Sequence, residues 1–149
     1  MSKRITHWVN GAAWTGTAER CGDVYNPATG QVAGSVDFAS RATVGEVVAA
    51  AKAAYPAWRE TSLTRRMQVM FAFREILNQR KEELAAIITA EQGKVLADAL
   101  GEVTRGQEVV EFACGLGHLM KGAFSEQVSN GVDVHTIRQP LGVVGIISP

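Results

Sequence analysis

Two cysteines, three histidines and one arginine set in a helical segment are the side chains of this 149-residue chain whose types could do chemistry. Arg105 stands in Gly101-Glu102-Val103-Thr104-Arg105-Gly106. A guanidinium held on a rigid helix presents paired N–H donors and suits bidentate recognition of a carboxylate. The same arginine is equally placed for an ordinary salt bridge to Glu102, Glu108 or another acid, and spacing alone favours that bland role. Cys21 falls in an expected turn beside Arg20, Gly22 and Asp23, with no histidine near it in sequence to act as a base. Cys114 sits among apolar helical neighbours, where a thiol behaves as a small, inert hydrophobe. His7, His118 and His135 are scattered, and no metal is expected, because neither they nor the cysteines have ligand spacing. Gly115-Leu116-Gly117 lacks the third glycine and the preceding strand of a dinucleotide fingerprint, and Lys94 lacks the upstream glycine of a phosphate loop. Residue types alone therefore nominate no catalytic residue.

The elements that must carry these side chains are legible in the periodicities. Thr6 to Val9, the turn pair Asn10-Gly11 and Ala13-Trp14-Thr15 predict a hairpin. Val24-Tyr25 leads into the turn Asn26-Pro27-Ala28-Thr29-Gly30, and Gln31 to Phe38 reads as a further strand. Ser40 is the expected cap of a first helix, with Thr43 and Glu46 as a possible capping box. Val44, Val47, Val48, Ala51, Ala54, Tyr55 and Trp58 share one helical face, and Pro56 is expected to end or kink the helix near Tyr55. A second helix should begin at Ser62 or Thr64, with Val69, Met70, Phe73, Ile76 and Leu77 as its apolar face, and after Asn78-Gln79-Arg80 the pattern resumes with Leu84, Ile87 and Ile88 and stops at Gly93. A long helix is expected from Val95 to about Met120, with Ala99, Val103, Gly106, Val110, Ala113 and Gly117 as a small-residue stripe. Gly101 and Gly106 within it suggest close approach to the backbone, most simply by a packed helix. Val132 to Gln139 alternates with period two. Leu141 to Ile147 has no polar face and reads as a strand covered on both sides, as in a parallel sheet.

Composition narrows the class. Hydrophobic residues make up 46% and charged residues 20%, with 15 bases against 15 acids, which argues for a globular chain and against disorder. Balanced charge removes the footprint of a nucleic-acid binder, and no apolar run approaches the roughly 18 residues needed to span a bilayer. Two cysteines are too few for a disulfide framework, so a cytoplasmic location is the expectation.

Several of these segments together resemble one family, the NAD-dependent aldehyde dehydrogenases. Asn26-Pro27-Ala28-Thr29-Gly30 resembles a turn near their N-terminus, Glu91-Gln92-Gly93-Lys94 the turn between two of their helices, and Pro140 to Pro149 the strand entering their dinucleotide-binding domain. Ser62-Leu63-Thr64-Arg65-Arg66, Gly101 to Cys114 and Val132 to Pro140 resemble the CoA-acylating branch, which acts on methylmalonate and malonate semialdehyde. That resemblance implies a thiolate attack on the semialdehyde, hydride transfer to NAD, transfer of the thioester to CoA and loss of the carboxyl, giving propionyl-CoA or acetyl-CoA in valine and inositol breakdown. It also implies that Arg105 binds the substrate carboxylate, and that Ser148 and Pro149 begin the loop lying against NAD.

The resemblance further implies an α+β fold dominated by three to four helices. Residues 1–39 and 130–140 would be oligomerisation strands, 40–129 helices of the NAD-binding domain and 141–149 the first strand of the dinucleotide sheet. Neither Cys21 nor Cys114 matches the nucleophile, and the oxyanion asparagine follows Pro149 in the family. The chain therefore reads as an N-terminal part of a larger, homo-oligomeric enzyme, inactive alone. A self-associating or subunit-binding segment without enzymatic activity, and an unrelated helical binding protein, are the alternatives.

Overall fold

The computed structural model describes residues 3–148. Five strands come first: β1 (Lys3–Ile5), β2 (Trp8–Val9), β3 (Ala12–Ala13), β4 (Arg20–Tyr25) and β5 (Val32–Phe38). Five helices follow: α1 (Arg41–Glu60), α2 (Leu63–Gln79), α3 (Lys81–Gln92), α4 (Leu96–Cys114) and the four-residue α5 (Leu116–Leu119). A hairpin of β6 (Ala123–Ser129) and β7 (Val132–Thr136) comes last. The α+β, helix-dominated class holds, with α5 as one helix more than the sequence predicts.

Local chemistry explains most boundaries. Asn10 at φ 52° and Gly11 at φ 76° make the tight β2–β3 turn that Asn-Gly favours. The Ser40 side chain accepts from the Thr43 backbone N–H, and that of Ser62 from the Arg65 N–H, so both predicted caps start their helices. Gly93 closes α3 in the left-handed conformation.

The N-terminal strands form a three-stranded sheet in the order β1-β5-β4. β4 pairs with β5 antiparallel, while β1 runs parallel to β5 with Lys3 opposite Gly34 and Ile5 opposite Val36. The buried Asp37 carboxylate accepts from Arg4 Nε and Nη2, the shortest contact being 2.7 Å, and so ties β1 to the far end of β5. The helical core lies where α2 and α3 meet α4. Ala85 and Ala99 have no exposed surface, and Val103, Leu84, Ile88 and Leu100 pack around them. Arg74 on α2 donates to Glu111 on α4 at 2.9 Å, and the buried Gln107 donates to the same carboxylate at 3.1 Å.

Several expectations need correction. Pro56 neither ends nor breaks α1, which runs through it to Glu60. Lys52, whose carbonyl loses its donor to the proline, is exposed, so water can satisfy it. Cys21 is not in a turn but in β4, at the sheet edge, and is exposed. The long helix stops at Cys114, and residues 123–129, expected within the helical part, form β6 instead. A side chain added at Gly101 or Gly106 would meet nothing within 4 Å among the described residues, so none of those residues makes the close approach expected there. Leu141 to Ile147 forms no strand. It is irregular and largely exposed, and none of the described residues offers it a ladder. It leans instead on α1, where the Tyr55 hydroxyl donates to the Pro140 carbonyl at 3.4 Å and Val143 and Val144 border Ala51, Ala54 and Trp58.

Many apolar faces stay open. Val44, Val48 and Trp58 on α1 and Phe71, Phe73 and Ile76 on α2 are exposed. The accessible surface is 11755 Å², against about 7,400 Å² for a compact monomer of this mass.

Candidate functional site

Helix α4 carries the candidate residue Arg105, and its geometry sorts its residues into two faces. At 100° per residue, Ala99, Val103, Gln107, Val110 and Cys114 cluster on one side and Gly101, Arg105, Val109 and Phe112 on the other. The first set faces α2 and α3 and is largely buried. Of the second set, Gly101 borders Asn78 to Glu82 at the α2–α3 junction, and the others face away. Arg105 is exposed there, with Val109 69% and Phe112 67% exposed on the turns that follow it. An exposed guanidinium with apolar side chains one and two turns further on has the makings of a site for a small carboxylate that also carries carbon.

The bland reading of Arg105 meets this structure poorly. Among the described residues it forms no ion pair within 4 Å. Glu102, one turn earlier, pairs with Lys94 instead. Lys94 leaves the Gly93 turn, and that turn rests against another. A β-carbon built on Gly93 would stand 3.0 Å from Pro27 Cγ, so Asn26–Gly30 and Glu91–Lys94, two stretches separate in sequence, touch in space. Asn26 braces the first of them, its side chain accepting from the Ala28 N–H at 2.9 Å.

The other nominated residues are not gathered around Arg105. Ser148 lies exposed at the far end of the irregular segment, and Pro149 falls outside the described residues. One exposed hydroxyl is no dinucleotide cradle, so these residues by themselves do not fit NAD. Cys114 is buried on the opposite face of α4 from Arg105. Among the described residues, no three His, Cys, Asp or Glu side chains gather as metal ligands, and no helix is long and apolar enough to cross a membrane.

Sequence reasoning missed two charged clusters. Arg4 holds the Asp37 carboxyl below the usual aspartate range by hydrogen bonding, against the opposing effect of burial. Arg74, followed by Gln107, does the same to Glu111. Both pairings join elements distant in the chain, and periodicity carries no signal for them. A groove of about 180 Å³ between α2, α4 and α5 holds Met67, Met70, Met120 and Trp58, with the buried Arg66 Nε lacking a partner.

Comparison with known proteins gives the family. Residues 14–149 match the aldehyde dehydrogenase family model, and the chain belongs to that family. Over all 149 residues it is 42% identical to the mitochondrial acylating methylmalonate-semialdehyde dehydrogenase of Arabidopsis thaliana, covering 24% of that protein. It is 40% identical over 147 residues to a malonate-semialdehyde dehydrogenase of Listeria monocytogenes, covering 99% of this chain and 30% of that one. A solved protein from Sinorhizobium meliloti 1021, assigned as a methylmalonate-semialdehyde dehydrogenase and complexed with NAD, superposes with a TM-score of 0.90. It is 42% identical over 95% of this chain and 29% of its own. The chain thus spans between a quarter and a third of the length of these relatives.

Proposed function

We propose that these residues serve as the N-terminal part of a CoA-acylating semialdehyde dehydrogenase, which oxidises and decarboxylates methylmalonate or malonate semialdehyde to propionyl-CoA or acetyl-CoA with NAD. The single observation that carries the reading is Arg105. It is an exposed guanidinium with no ion pair among the described residues, beside the exposed Val109 and Phe112, in a chain similar to proteins whose names specify acids that bear both an aldehyde and a carboxylate. Arg105 would hold the substrate carboxylate through paired N–H donors and so fix the aldehyde end for attack. Val109 and Phe112 would exclude water around that pair and strengthen it.

In this reading residues 1–39 and 130–140 serve association, 40–129 belong to the NAD-binding domain, and 141–149 enter its sheet, with Ser148 and Pro149 against the cofactor. NAD would supply the hydride acceptor, and in the complete enzyme residues outside these 149 would provide most of its grip, the CoA site and the nucleophile. A polypeptide of these residues alone would not turn over, because one cysteine is buried and the other lies at a sheet edge. Substituting Arg105→Gln in the complete enzyme tests the reading. A lost charge-assisted contact raises KM for malonate semialdehyde about 10- to 100-fold, with little effect on a small aldehyde that lacks a carboxylate. An equal effect on both aldehydes, or none on either, would refute it.

A second reading, self-association without catalysis, is favoured by surface area. The chain exposes roughly 4,400 Å² more than a compact monomer of its mass, more than the roughly 1,000–2,500 Å² that each partner contributes to an obligate interface. Light scattering of the 149-residue chain tests it, and a monodisperse monomer at micromolar concentration sinks it.

A further inference from the structure

Arg105 has two acidic neighbours on its own helix, Glu102 one turn before it and Glu108 one turn after. They stand about 60° to either side of it around the helix axis. Helical side chains lean toward the N-terminus, so an acid that precedes a base by one turn meets it better than an acid that follows. Glu102 is therefore the residue best placed to capture the Arg105 guanidinium, in competition with any substrate carboxylate. Here it does not, because its carboxylate is taken by Lys94 Nζ.

Lys94 is held for that task from both sides. Behind it, Gly93 ends α3 at φ 84° with the Pro27 ring against it, and ahead of it Val95 caps α4. At 21% side-chain exposure it is the least solvated base among the ion pairs of the described residues. We infer that Lys94 is a positioning residue: by occupying Glu102 it leaves Arg105 open to the substrate carboxylate, and it neutralises the negative charge best placed to repel that carboxylate. The inference rests on the role given to Arg105 above. It links the Asn26–Gly30 turn, through Pro27, Gly93 and Lys94, to substrate affinity.

Steady-state kinetics of the complete enzyme test this, with malonate semialdehyde compared against a small aldehyde that lacks a carboxylate. Lys94→Gln frees Glu102 to pair with Arg105. A helical pair of ordinary strength closes about two-thirds of the time, so KM for the semialdehyde rises about threefold with kcat unchanged. The other aldehyde is unaffected. Lys94→Met, which keeps the side-chain stem against the turn, gives the same result and stands in should the glutamine variant not fold. Adding Glu102→Gln to either variant returns KM to the parental value. If the double variants remain impaired, Lys94 only shapes the turn and the inference is overturned. If the Lys94 variants leave KM unchanged while Arg105→Gln raises it, the inference falls and the reading of Arg105 stands. If Arg105→Gln also leaves KM unchanged, the underlying reading fails.

Discussion

Substituting Gly93→Ala separates two forces at the turn that joins α3 to α4. Gly93 sits at φ 84°, and an added β-carbon would lie 3.0 Å from Pro27 Cγ and 3.2 Å from Pro27 Cβ. The left-handed backbone costs a non-glycine residue about 1–2 kcal/mol. The contact costs less than the roughly 1–3 kcal/mol of overpacking a closed core, because Pro27 is exposed and its turn can yield. Backbone strain therefore dominates, and the whole comes to about 2 kcal/mol. With a urea slope of about 2 kcal/mol per molar, the unfolding midpoint falls by roughly 1 M. Asparagine tolerates positive φ but brings the same β-carbon, so Gly93→Asn should recover about half of the loss. Removing Pro27 Cγ with Pro27→Ala should recover only the smaller, steric part. A Gly93→Ala midpoint indistinguishable from the parent would refute the reasoning. An asparagine variant as damaged as the alanine one would show that the contact, not the backbone, decides.

Two further outcomes follow from the packing and charge described above. Ala99→Leu drives a larger side chain into the fully buried α3–α4 contact and should destabilise by about 1–3 kcal/mol, read from thermal unfolding. Gly101→Ala, with open space around it, serves as the matched control and should not destabilise. The Asp37 carboxyl is held below its ordinary value by Arg4, so the folded state binds that proton less readily than the unfolded chain does. The stabilisation is complete above the unfolded aspartate value of about 3.9 and is lost as pH falls through the folded value. The difference in melting temperature between parent and Arg4→Gln should thus be widest near neutral pH and close in acid. A gap that persists at pH 2 would place the effect of Arg4 elsewhere.

What the sequence made legible was local. Ser40, Asn10-Gly11 and Gly93 each act through hydrogen bonds or dihedrals within four residues, and all three were readable. Part of the α4 stripe, Ala99 and Val103, was readable for the same reason, whereas the α2 stripe of Val69, Phe73 and Ile76 stays exposed among the described residues. The misses share a different origin. The parallel pairing of β1 with β5 depends on partners some thirty residues apart. Pro56 survives inside α1 because of solvent access at Lys52, and β6 is exposed along its whole length, with no burial on either face to impose a pattern. Leu141 to Ile147 has a strand's composition but no neighbouring edge, and a strand is a property of pairs. For the site, residue types nominated Arg105 and could not rank it. The pairing of Glu102 with Lys94, rather than with Arg105, appears only when the Gly93 turn is folded.

The β1–β5 ladder has a consequence in time rather than in space. The hairpin of β4 and β5 closes across a short turn, whereas β1 must search across the whole N-terminal stretch for three residue pairs. Loop-closure entropy makes such a non-local pairing late. The sheet should therefore assemble outward from β4–β5, with Lys3–Ile5 laid down last and lifted first, and its amides should exchange at a lower opening free energy than those of β5. A contact made after the rate-limiting step slows unfolding and leaves the folding rate alone. Arg4 then works as a catch on β1, setting how long that strand stays docked and not how fast it arrives.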